Sequence, residues 1–422
     1  MKNKINIWTM SQFASTPDIP GMQRTYQFAK AFADSGYNVT FWRSSYNHWG
    51  KIETINNGSP YVIDKDGSLK IVRIRTGFLY KKNDYRRFLN MLSFASSLLT
   101  CSKGCHPAPD VVIGAYPSPF AALAAYKIAK RNSAKFILEI GDLWPQVWIE
   151  RKAFSKFHPF IVVLKLIEKY LHNRTHDYVS SLPYVNDYLK ERNLKNYTFT
   201  WIPNGINIDS FNDSDNDNTS DKIVRDILDD MVRERQKRNL NIIYVGGIGV
   251  GNRVDCIVQA ARILRDRGES RFFFTIVGDG HSKNDIIKYV SDNKLDNVKI
   301  WPPIVRKTVP QVLKNADIGI LCLHNNPIYR YGVNLNKLYD YMATGLPVVF
   351  SANVRNNLVE QYNAGITVPP SDPEAIASAL LKLLSMTAEE RLYMGKCGYA
   401  AIAEDYDIRK LSKKYLELIE SL

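Results

Sequence analysis

A lysine and an amide stand at the predicted start of a helix late in the chain. Residues 317–323 form an apolar run long enough for a buried strand, residues 324–335 are polar and predict a loop, and residues 336–344 have helical spacing. The first turn of that helix contains Asn336 and Lys337. Free backbone N–H groups and the positive end of the helix dipole favour an anion there. Lys337 would add a charge-assisted contact, which predicts a diphosphate site; a solvated surface lysine is the simpler alternative.

Two carboxylates are further candidates for contacts with a ligand. Asp340 follows Lys337 by three positions, on the same face of the predicted helix, where it either reaches a ribose hydroxyl or pairs with the lysine. Asp142 comes directly after the apolar run 134–140, at the crevice position beyond the carboxyl end of a strand in an open α/β sheet. We expect Asp142 to contact a ligand in that crevice; capping the segment that follows is the alternative.

A glycine-rich turn lies between a predicted strand and a predicted helix in the second half of the chain. Residues 246–251 read GGIGVG and follow the apolar run 241–245 at once. Glycines at a strand-to-helix turn let a phosphate approach the backbone closely. We therefore place the backbone of Gly249 beside the same diphosphate as Lys337.

Strands and helices alternate along the whole chain in two successive series. The first series begins with the strand 5–9 and ends with the strand 198–202, and the second begins at 241–245. Such alternation predicts parallel sheets flanked by helices. All of the candidate residues follow strands, so they lie on loops that line a crevice. The predicted fold is α/β, with two doubly wound, Rossmann-like parallel-sheet domains facing across a cleft.

A polar stretch marks the predicted boundary between the two domains. Residues 209–218 are rich in Asp, Asn and Ser and predict a flexible surface loop, and a charged helix follows over 221–238. We therefore assign residues 1–205 to an N-terminal domain, residues 206–238 to a linker and residues 239–406 to a C-terminal domain.

Composition narrows the class of protein. The chain has 422 residues, 45% of them hydrophobic, and a net charge of +14, which favours an anionic partner such as a membrane surface, nucleic acid or a phosphorylated substrate. Cys101, Cys105 and His106 lack a second cluster that would complete a metal site, so we expect no metal. No N-terminal apolar region and no run of about 18 apolar residues is present, which predicts a cytoplasmic protein with reduced cysteines.

Two segments of the first domain are basic and partly apolar. Residues 81–87 read KKNDYRR before an apolar stretch, and residues 160–173 form an amphipathic helix with lysines on its polar positions. This pattern is typical of segments that contact a membrane surface. A solvated helix start is the alternative for residues 81–87.

Residues 330–348, which read RYGVNLNKLYDYMATGLPV, carry a resemblance to a known family. The stretch resembles retaining glycosyltransferases of the GT-B fold, family 4, and within them the branch that builds bacterial O-antigen and capsule repeats. The branch commonly has Ser-Pro at positions 334–335. The wider family has two Glu separated by seven residues; the second falls on Asp340, and the first falls on Gly332, which has no side chain to hold a sugar hydroxyl.

The resemblance extends over the first domain. Pro20-Gly21 and Arg24 stand at the first turn, where the family's GGxxR approaches the donor phosphates; for a lone Gly21, a steric role is the alternative. Residues 139–145 resemble the branch's E-x-R-D-L-W-P, with Gly141 in place of Arg, and this resemblance makes Asp142 the candidate for contacting the acceptor or the donor sugar. The resemblance makes the first domain the acceptor side and adds to it the final helix, at about 407–422.

The resemblance also implies how the second domain binds the donor. The family's diphosphate-binding Arg and Lys fall on Gly247 and Asn252, so Arg253 is expected to substitute and Lys337 to carry more of the charge. Asp279 lies in the family's V-G-D-G turn, and the backbone at Ile304 is placed where the family contacts the nucleobase.

These features together predict a retaining glycosyltransferase. It would move a sugar from a nucleotide sugar, UDP-linked, to a polyprenyl-diphosphate-linked saccharide at the inner face of the plasma membrane, bound peripherally to anionic lipid. The look-alikes transfer N-acetylfucosamine or related amino sugars in O-antigen, capsule or exopolysaccharide synthesis. No cofactor, metal or nucleic acid is expected. Two alternatives remain: a non-catalytic protein that binds a nucleotide sugar, and a UDP-sugar 2-epimerase of the same fold.

Overall fold

The chain divides into two units in a computed structural model that describes residues 4–19, 21–81, 84–212, 221–237 and 239–422. The first unit comprises residues 1–205 and 408–422, and the second comprises residues 206–407. Each unit is built on its own sheet, which is parallel throughout in the second unit and parallel except for one edge pair in the first.

The first unit contains ten strands among the described residues: β1 (Asn6–Met10), β2 (Asn38–Ser44), β3 (Tyr46–Asn47), β4 (Ile52–Glu53), β5 (Tyr61–Asp66), β6 (Leu69–Ile74), β7 (Val111–Tyr116), β8 (Lys135–Ile140), β9 (Asp177–Ser180) and β10 (Thr198–Trp201). Eight of these described strands form one sheet in the order β10-β9-β8-β7-β1-β2-β6-β5. Neighbouring strands are parallel except for β5 and β6, and β3 pairs with β4 as a separate short hairpin.

The second unit contains six strands among the described residues: β11 (Leu240–Val245), β12 (Phe272–Val277), β13 (Val298–Trp301), β14 (Ile318–Cys322), β15 (Val348–Ser351) and β16 (Gly365–Val368). They form one parallel sheet in the order β13-β12-β11-β14-β15-β16. The order reverses at β11, so the loops after β11 and β14 leave the sheet side by side, at the position where open α/β sheets bind ligands.

The described helices follow the chain as α1 (Arg24–Asp34), α2 (Tyr85–Cys101), α3 (Pro119–Arg131), α4 (Gln146–Glu150), α5 (Pro159–His172), α6 (Val185–Glu191), α7 (Ile208–Asn212), α8 (Lys222–Gln236), α9 (Val254–Asp266), α10 (Lys283–Asp292), α11 (Val309–Lys314), α12 (Asn336–Ala343), α13 (Leu358–Gln361), α14 (Pro373–Ser385), α15 (Ala388–Asp405) and α16 (Ile408–Glu420). Helices α1–α6 and α16 belong to the first unit. No described helix is long and apolar enough to cross a bilayer.

Helices cover both faces of the first sheet, which explains the continuous apolar runs of its inner strands. All six residues of β7 are buried. On one face, Phe28 and Phe32 of α1 pack edge-to-face against Tyr415 of α16. On the other face, α2 and α3 pack together. Strands buried on both faces need apolar side chains at every position.

The structure differs from the sequence expectation at the edge of the first sheet. Strand β5 was not expected; it pairs antiparallel with β6 across the Asp66-Gly67 turn. Its side chains alternate between exposed and half-buried positions, and Tyr61 and Ile63 point to solvent. An edge strand covered on one face only gives this weak alternating signal.

The expected linker at 206–238 is also different in the structure. Residues 206–237 lie in the second unit, where Val224, Ile227 and Met231 of α8 are fully buried in its core. Residues 208–212, part of them in the expected loop 209–218, form α7, and residues 213–218 lie outside the described part. Helix α8 is amphipathic, with charged residues on one face and an apolar stripe on the other. Its many charged residues suggested a domain boundary, but its apolar face packs into the core of the second unit.

Candidate functional site

Lys337 is held at the carboxyl end of β11 by two uncharged partners. It lies in the first turn of α12, and its Nζ donates to Tyr244 Oη at 2.9 Å and to Asn252 Oδ1 at 2.8 Å. The amine also lies 4.9 Å from the centre of the Tyr244 ring. These contacts fix the side chain beside the turn that follows β11, so the lysine is not a freely moving surface group.

Burial makes the ammonium form of Lys337 costly. Desolvation lowers the pKa of this amine to about 8, against a smaller opposing effect from Asp340. A buried cation whose contacts are uncharged gains more from a bound anion than a surface cation does. The site therefore favours a phosphate group next to Lys337.

Glycines let the lysine and two loops approach one another. A methyl group on Gly246 would lie 2.2 Å from Lys337 Cε, and one on Gly278 would lie 1.9 Å from the Gly246 carbonyl oxygen. A methyl group on Gly280 would lie 2.2 Å from the carbonyl oxygen of Ile248. The loops after β11 and β12 thus pack backbone against backbone. The side chain of Lys337, from α12, lies against the loop after β11.

The predicted residues Gly247, Gly249 and Asp279 lie on these two loops. The Gly247 carbonyl accepts hydrogen bonds from Tyr244 Oη at 2.6 Å and from Asn252 Nδ2 at 2.7 Å, so it helps to position both partners of Lys337. Gly249 lies under the His281 ring. Asp279 is exposed, and one of its carboxylate oxygens accepts from the Gly280 N–H at 2.9 Å. The structure therefore brings the predicted glycines and Lys337 together.

We expect Gly246→Ala to weaken UDP binding by at least about tenfold, because the added methyl group occupies the path of the Lys337 side chain and displaces the amine. The measurement is a calorimetric titration with UDP. Gly251→Ala is the matched control, since no atom lies within 4 Å of the position its methyl group would take. Equal UDP affinity in the two variants would show that the position of the amine does not matter.

Asp340 has a different partner from either of those predicted. Its carboxylate is buried and bridges the guanidinium of Arg306 through both oxygens, with Oδ1 at 2.5 Å from Nη2. Arg306 lies in a 3₁₀ turn, Arg306–Thr308, two residues beyond Ile304. The pair thus connects the loop after β13 to α12. Because both oxygens of Asp340 already accept from Arg306, the predicted contact with a ribose hydroxyl is disfavoured. Sequence reasoning missed Arg306.

Arg253 is also engaged with a neighbouring acid. Its guanidinium contacts both oxygens of Asp255, with the shortest distance, 2.7 Å, from Nη2 to Oδ2. The residue has a left-handed backbone, with φ of 40°, at the junction between the turn and α9. These contacts hold the guanidinium at the start of α9 and give no support to its predicted role on the diphosphate.

Three further predicted residues flank the site within the second unit. Ile304 is half-buried and packs against the core. Gly332 has φ of 93° directly after the 3₁₀ turn Pro327–Tyr331, a conformation that favours glycine over the family's Glu. Asn336 is exposed as the first residue of α12. Gly332 therefore lies in the loop that leads into α12, and Asn336 directly precedes Lys337 on that helix.

Arg24 is buried and bound to neighbours within the first unit, and its predicted contact with a phosphate stays a prediction. Its Nε donates to Glu139 Oε1 at 2.9 Å, and its Nη1 donates to the Pro203 carbonyl at 2.7 Å. The second oxygen of Glu139 accepts from Tyr415 Oη at 2.9 Å. Arg24 thus ties α1, β8 and α16 together below the surface of the first unit.

Gly21 and Asp142 also have local roles in the first unit. A methyl group on Gly21 would lie 1.9 Å from Ser15 Oγ and 2.6 Å from the Trp49 ring, so the steric explanation accounts for this glycine. The Asp142 carboxylate accepts from the Leu143 N–H at 2.9 Å and from Trp144 Nε1 at 3.3 Å, and burial raises its pKa. These bonds fit the capping alternative for Asp142.

Titratable side chains are not grouped as they would be in a metal centre. Within the described ranges, no group of three or more His, Cys, Asp or Glu side chains is placed to hold a metal ion. The chemistry that the residues offer is therefore the binding of an anion by an ammonium group, a helix terminus and glycine-loop backbone.

Comparison with known proteins gives one family match, which falls on the second unit. Residues 239–386 match the family described as "Glycosyl transferases group 1". This range contains both glycine loops and all of α12, so it includes every predicted donor-site residue of the second unit.

One curated relative aligns with most of the chain. It is the "Putative colanic acid biosynthesis glycosyl transferase WcaI" of Escherichia coli (strain K12), 24% identical over 340 residues, which cover 78% of this chain and 77% of the relative.

Solved structures resemble the whole chain at low sequence identity. Sucrose-phosphate synthase from Thermosynechococcus elongatus has a TM-score of 0.74 at 15% identity, over 99% of both chains. The structure described as "Trehalose-6-phosphate from E. coli bound with UDP-2-fluoro glucose" has a TM-score of 0.71 at 13% identity, also over 99% of both chains. The predicted α/β fold of the GT-B type is thereby confirmed, and residues 239–386 match the group 1 glycosyl transferases.

Proposed function

We propose that this chain is a retaining glycosyltransferase that moves a sugar from a UDP-sugar to a saccharide carried on a polyprenyl diphosphate. The observation that carries the proposal is Lys337, whose buried amine is fixed beside the glycine loop of the unit that matches the group 1 glycosyl transferases. The colanic acid relative supports a role in cell-surface polysaccharide synthesis. The likeness to a protein bound with UDP-2-fluoro glucose supports a UDP-linked donor.

Charge development at the leaving group explains why a fixed amine would catalyse transfer. As the bond between sugar and diphosphate breaks, the diphosphate gains negative charge, and donors already in place stabilise it without reorganising. Lys337 is held in place by hydrogen bonds to Tyr244 and Asn252. The N–H groups at the start of α12 add to its effect. Retention follows the family resemblance, with attack on the face of the departing phosphate, which takes up the proton of the acceptor.

The Arg306–Asp340 pair gives the loop after β13 a role in binding the nucleotide. The pair fixes this loop to the helix that carries Lys337. Ile304 lies in the same loop, where the family resemblance places the nucleobase. The base and the diphosphate would therefore be bound by segments held at a constant spacing, which favours one nucleotide over others.

The experiment that tests the function is transfer of radiolabel from UDP-sugars to a lipid extract. Incorporation into lipid-linked material is the expected result. Donor turnover without an acceptor would indicate an epimerase, and saturable donor binding with no turnover would indicate a non-catalytic binder. A thermal-shift screen over UDP- and GDP-sugars selects the donor, because a ligand that binds only the native state raises its stability.

The first unit carries an exposed apolar surface with basic neighbours on and before α5. Phe157 is 76% exposed and Leu166 is 61% exposed, and Val162 lies between them on the exposed side of the helix. Lys165 and Lys169 flank these side chains. Apolar side chains bordered by lysines suit the interface of an anionic membrane. We place the protein at the inner face of the plasma membrane through this surface.

We expect the protein to sediment with vesicles that contain anionic lipid at low salt and to be released at high salt, because screening weakens the lysine contacts. Leu166→Glu should weaken vesicle binding at both salt concentrations. Leu392→Glu is the matched control, since Leu392 is similarly exposed, at 55%, on α15 of the second unit. Binding that is equal on neutral vesicles, or unchanged in Leu166→Glu, would rule out this surface.

A further inference from the structure

Loops and one helix start in the first unit bring basic and aromatic side chains to one place. Phe13 follows β1, His48 and Lys51 lie in the turn between β3 and β4, Tyr80 follows β6, Arg87 is in the first turn of α2, and Trp144 follows β8. We call these six residues the cationic aromatic cluster. None of them is among the side chains assigned to the donor.

Aromatic rings surround the guanidinium of Arg87. Its central carbon lies 5.4 Å from the centre of the Phe13 ring and 5.2 Å from that of the Trp144 ring. The rings lie 6.3 Å apart, so the guanidinium contacts both. Burial lowers the pKa of Arg87, which shows that its charge is partly removed from water.

Lys51 brings a second positive charge to the cluster. Its Nζ lies 4.9 Å from the centre of the Tyr80 ring and 3.4 Å from His48 Nδ1, and this His48 nitrogen is 2.7 Å from Tyr80 Oη. Burial, together with the charges of Arg87 and Lys51, lowers the pKa of His48 to about 3, so the imidazole is neutral. Within the described part of the chain, Lys51 forms no salt bridge.

The two cations raise each other's energy in the folded protein. Burial and the charge of Arg87 both lower the pKa of Lys51. A fold that gathers like charges in a half-buried place gains from a bound anion, and a group with two or more negative charges gains from both cations at once. A diphosphate has the required charge and several acceptor oxygens.

An aromatic track leads from the cluster to the apolar surface on α5. The Trp144 ring centre lies 4.0 Å from that of Trp148, which lies 5.3 Å from that of Phe160 and 5.8 Å from that of Phe154. Phe160 is in the first turn of α5, where the exposed apolar side chains begin. A ligand with an anionic head at the cations and an apolar chain along this track would reach the membrane surface.

From this arrangement we propose that the cationic aromatic cluster binds the diphosphate of the prenyl-linked acceptor, with the first prenyl units along Trp148, Phe154 and Phe160. This proposal rests on the proposed function, since it names the part of the acceptor that the first unit holds. Lys51 and Arg87 contact the diphosphate, and the rings exclude water around it.

The test is a titration followed by tryptophan fluorescence, because Trp144 and Trp148 line the proposed site. The probes are farnesyl diphosphate, farnesol and inorganic pyrophosphate. Wild type should bind farnesyl diphosphate saturably and more tightly than either of the others. Lys51→Ala should weaken that binding by about 10- to 100-fold. Lys103→Ala, an exposed lysine after α2, should bind as wild type does.

Three results would overturn the proposal. They are unchanged binding of farnesyl diphosphate in Lys51→Ala, farnesol binding as tight as that of farnesyl diphosphate, and pyrophosphate binding as tight as that of farnesyl diphosphate. The last would indicate a site for the free anion only.

A parallel titration with UDP separates this proposal from the proposed function. If wild type binds UDP but not farnesyl diphosphate, the acceptor site is wrong and the donor chemistry stands. If wild type binds farnesyl diphosphate but not UDP, the proposed function fails and the lipid site stands. Circular dichroism of Lys51→Ala confirms that any lost binding comes from a folded protein.

Discussion

Lys337→Ala should reduce glycosyl transfer by about 10²- to 10³-fold, the effect of removing one fixed donor from a developing oxyanion. The amine is held in position by hydrogen bonds to Tyr244 and Asn252, so its own side chain is already ordered. The fold should be kept. Desolvation already disfavours the ammonium, and the hydroxyl and amide that it leaves are also linked through the Gly247 carbonyl.

The measurement is transfer of radiolabelled sugar at saturating donor and acceptor, with circular dichroism and thermal unfolding to verify the fold. Lys288→Ala is the matched control, because Lys288 is an exposed lysine on α10 in the same unit. Activity of Lys337→Ala within about threefold of wild type would defeat the assignment, since so small a change is well under 1 kcal/mol of transition-state stabilisation.

Arg24→Met should lower the free energy of unfolding of the first unit by about 3–5 kcal/mol. The Arg24 and Glu139 side chains are 7% and 5% exposed, so removing the guanidinium leaves a buried carboxylate without its cation. The change also removes the bond to the Pro203 carbonyl. Donor binding by the second unit should be retained.

The stability change is measured as a shift of the urea midpoint under conditions in which wild type refolds. Lys30→Met is the matched control, because Lys30 lies on the same helix and pairs with Asp34 in an exposed salt bridge, for which a loss below about 1 kcal/mol is expected. If Arg24→Met keeps wild-type stability and instead loses affinity for UDP, the result contradicts the structural role and supports the phosphate contact first predicted for Arg24.

The sequence predicted those elements whose apolar pattern is strong. Strands β8, β11 and β14 begin and end within one residue of the apolar runs 134–140, 241–245 and 317–323, and the start of α12 lies where the residue pattern placed it. Local patterns suffice there, because a buried parallel strand appears in the sequence as an apolar run and an amphipathic helix as apolar residues at helical spacing. Strand β5 was missed because only one of its faces is covered.

Side-chain partners far apart in the chain could not be predicted. Arg24 and Glu139 are 115 positions apart, and Arg306 and Asp340 are 34 apart. Each of these residues alone resembles a solvent-exposed charge or a ligand. Only the fold shows that these residues pair with one another.

Asn252 illustrates how a departure from the family pattern is explained by the structure. The resemblance places a diphosphate-binding lysine at this position. From the sequence alone, asparagine in its place removes one positive charge from the expected diphosphate site. In the structure, the amide oxygen of Asn252 accepts from Lys337 at 2.8 Å. A second lysine here would repel the first, whereas the amide positions it, so the site depends on one amine.

The most direct test of that dependence is the preference for UDP over uridine, because the two ligands differ only in the diphosphate. Calorimetric titrations of wild type and Lys337→Ala with both ligands measure it. The account predicts that wild type binds UDP at least about 100-fold more tightly than uridine and that Lys337→Ala loses most of this preference while its uridine affinity is unchanged. An equal preference in the two proteins would contradict the claim that Lys337 holds the diphosphate.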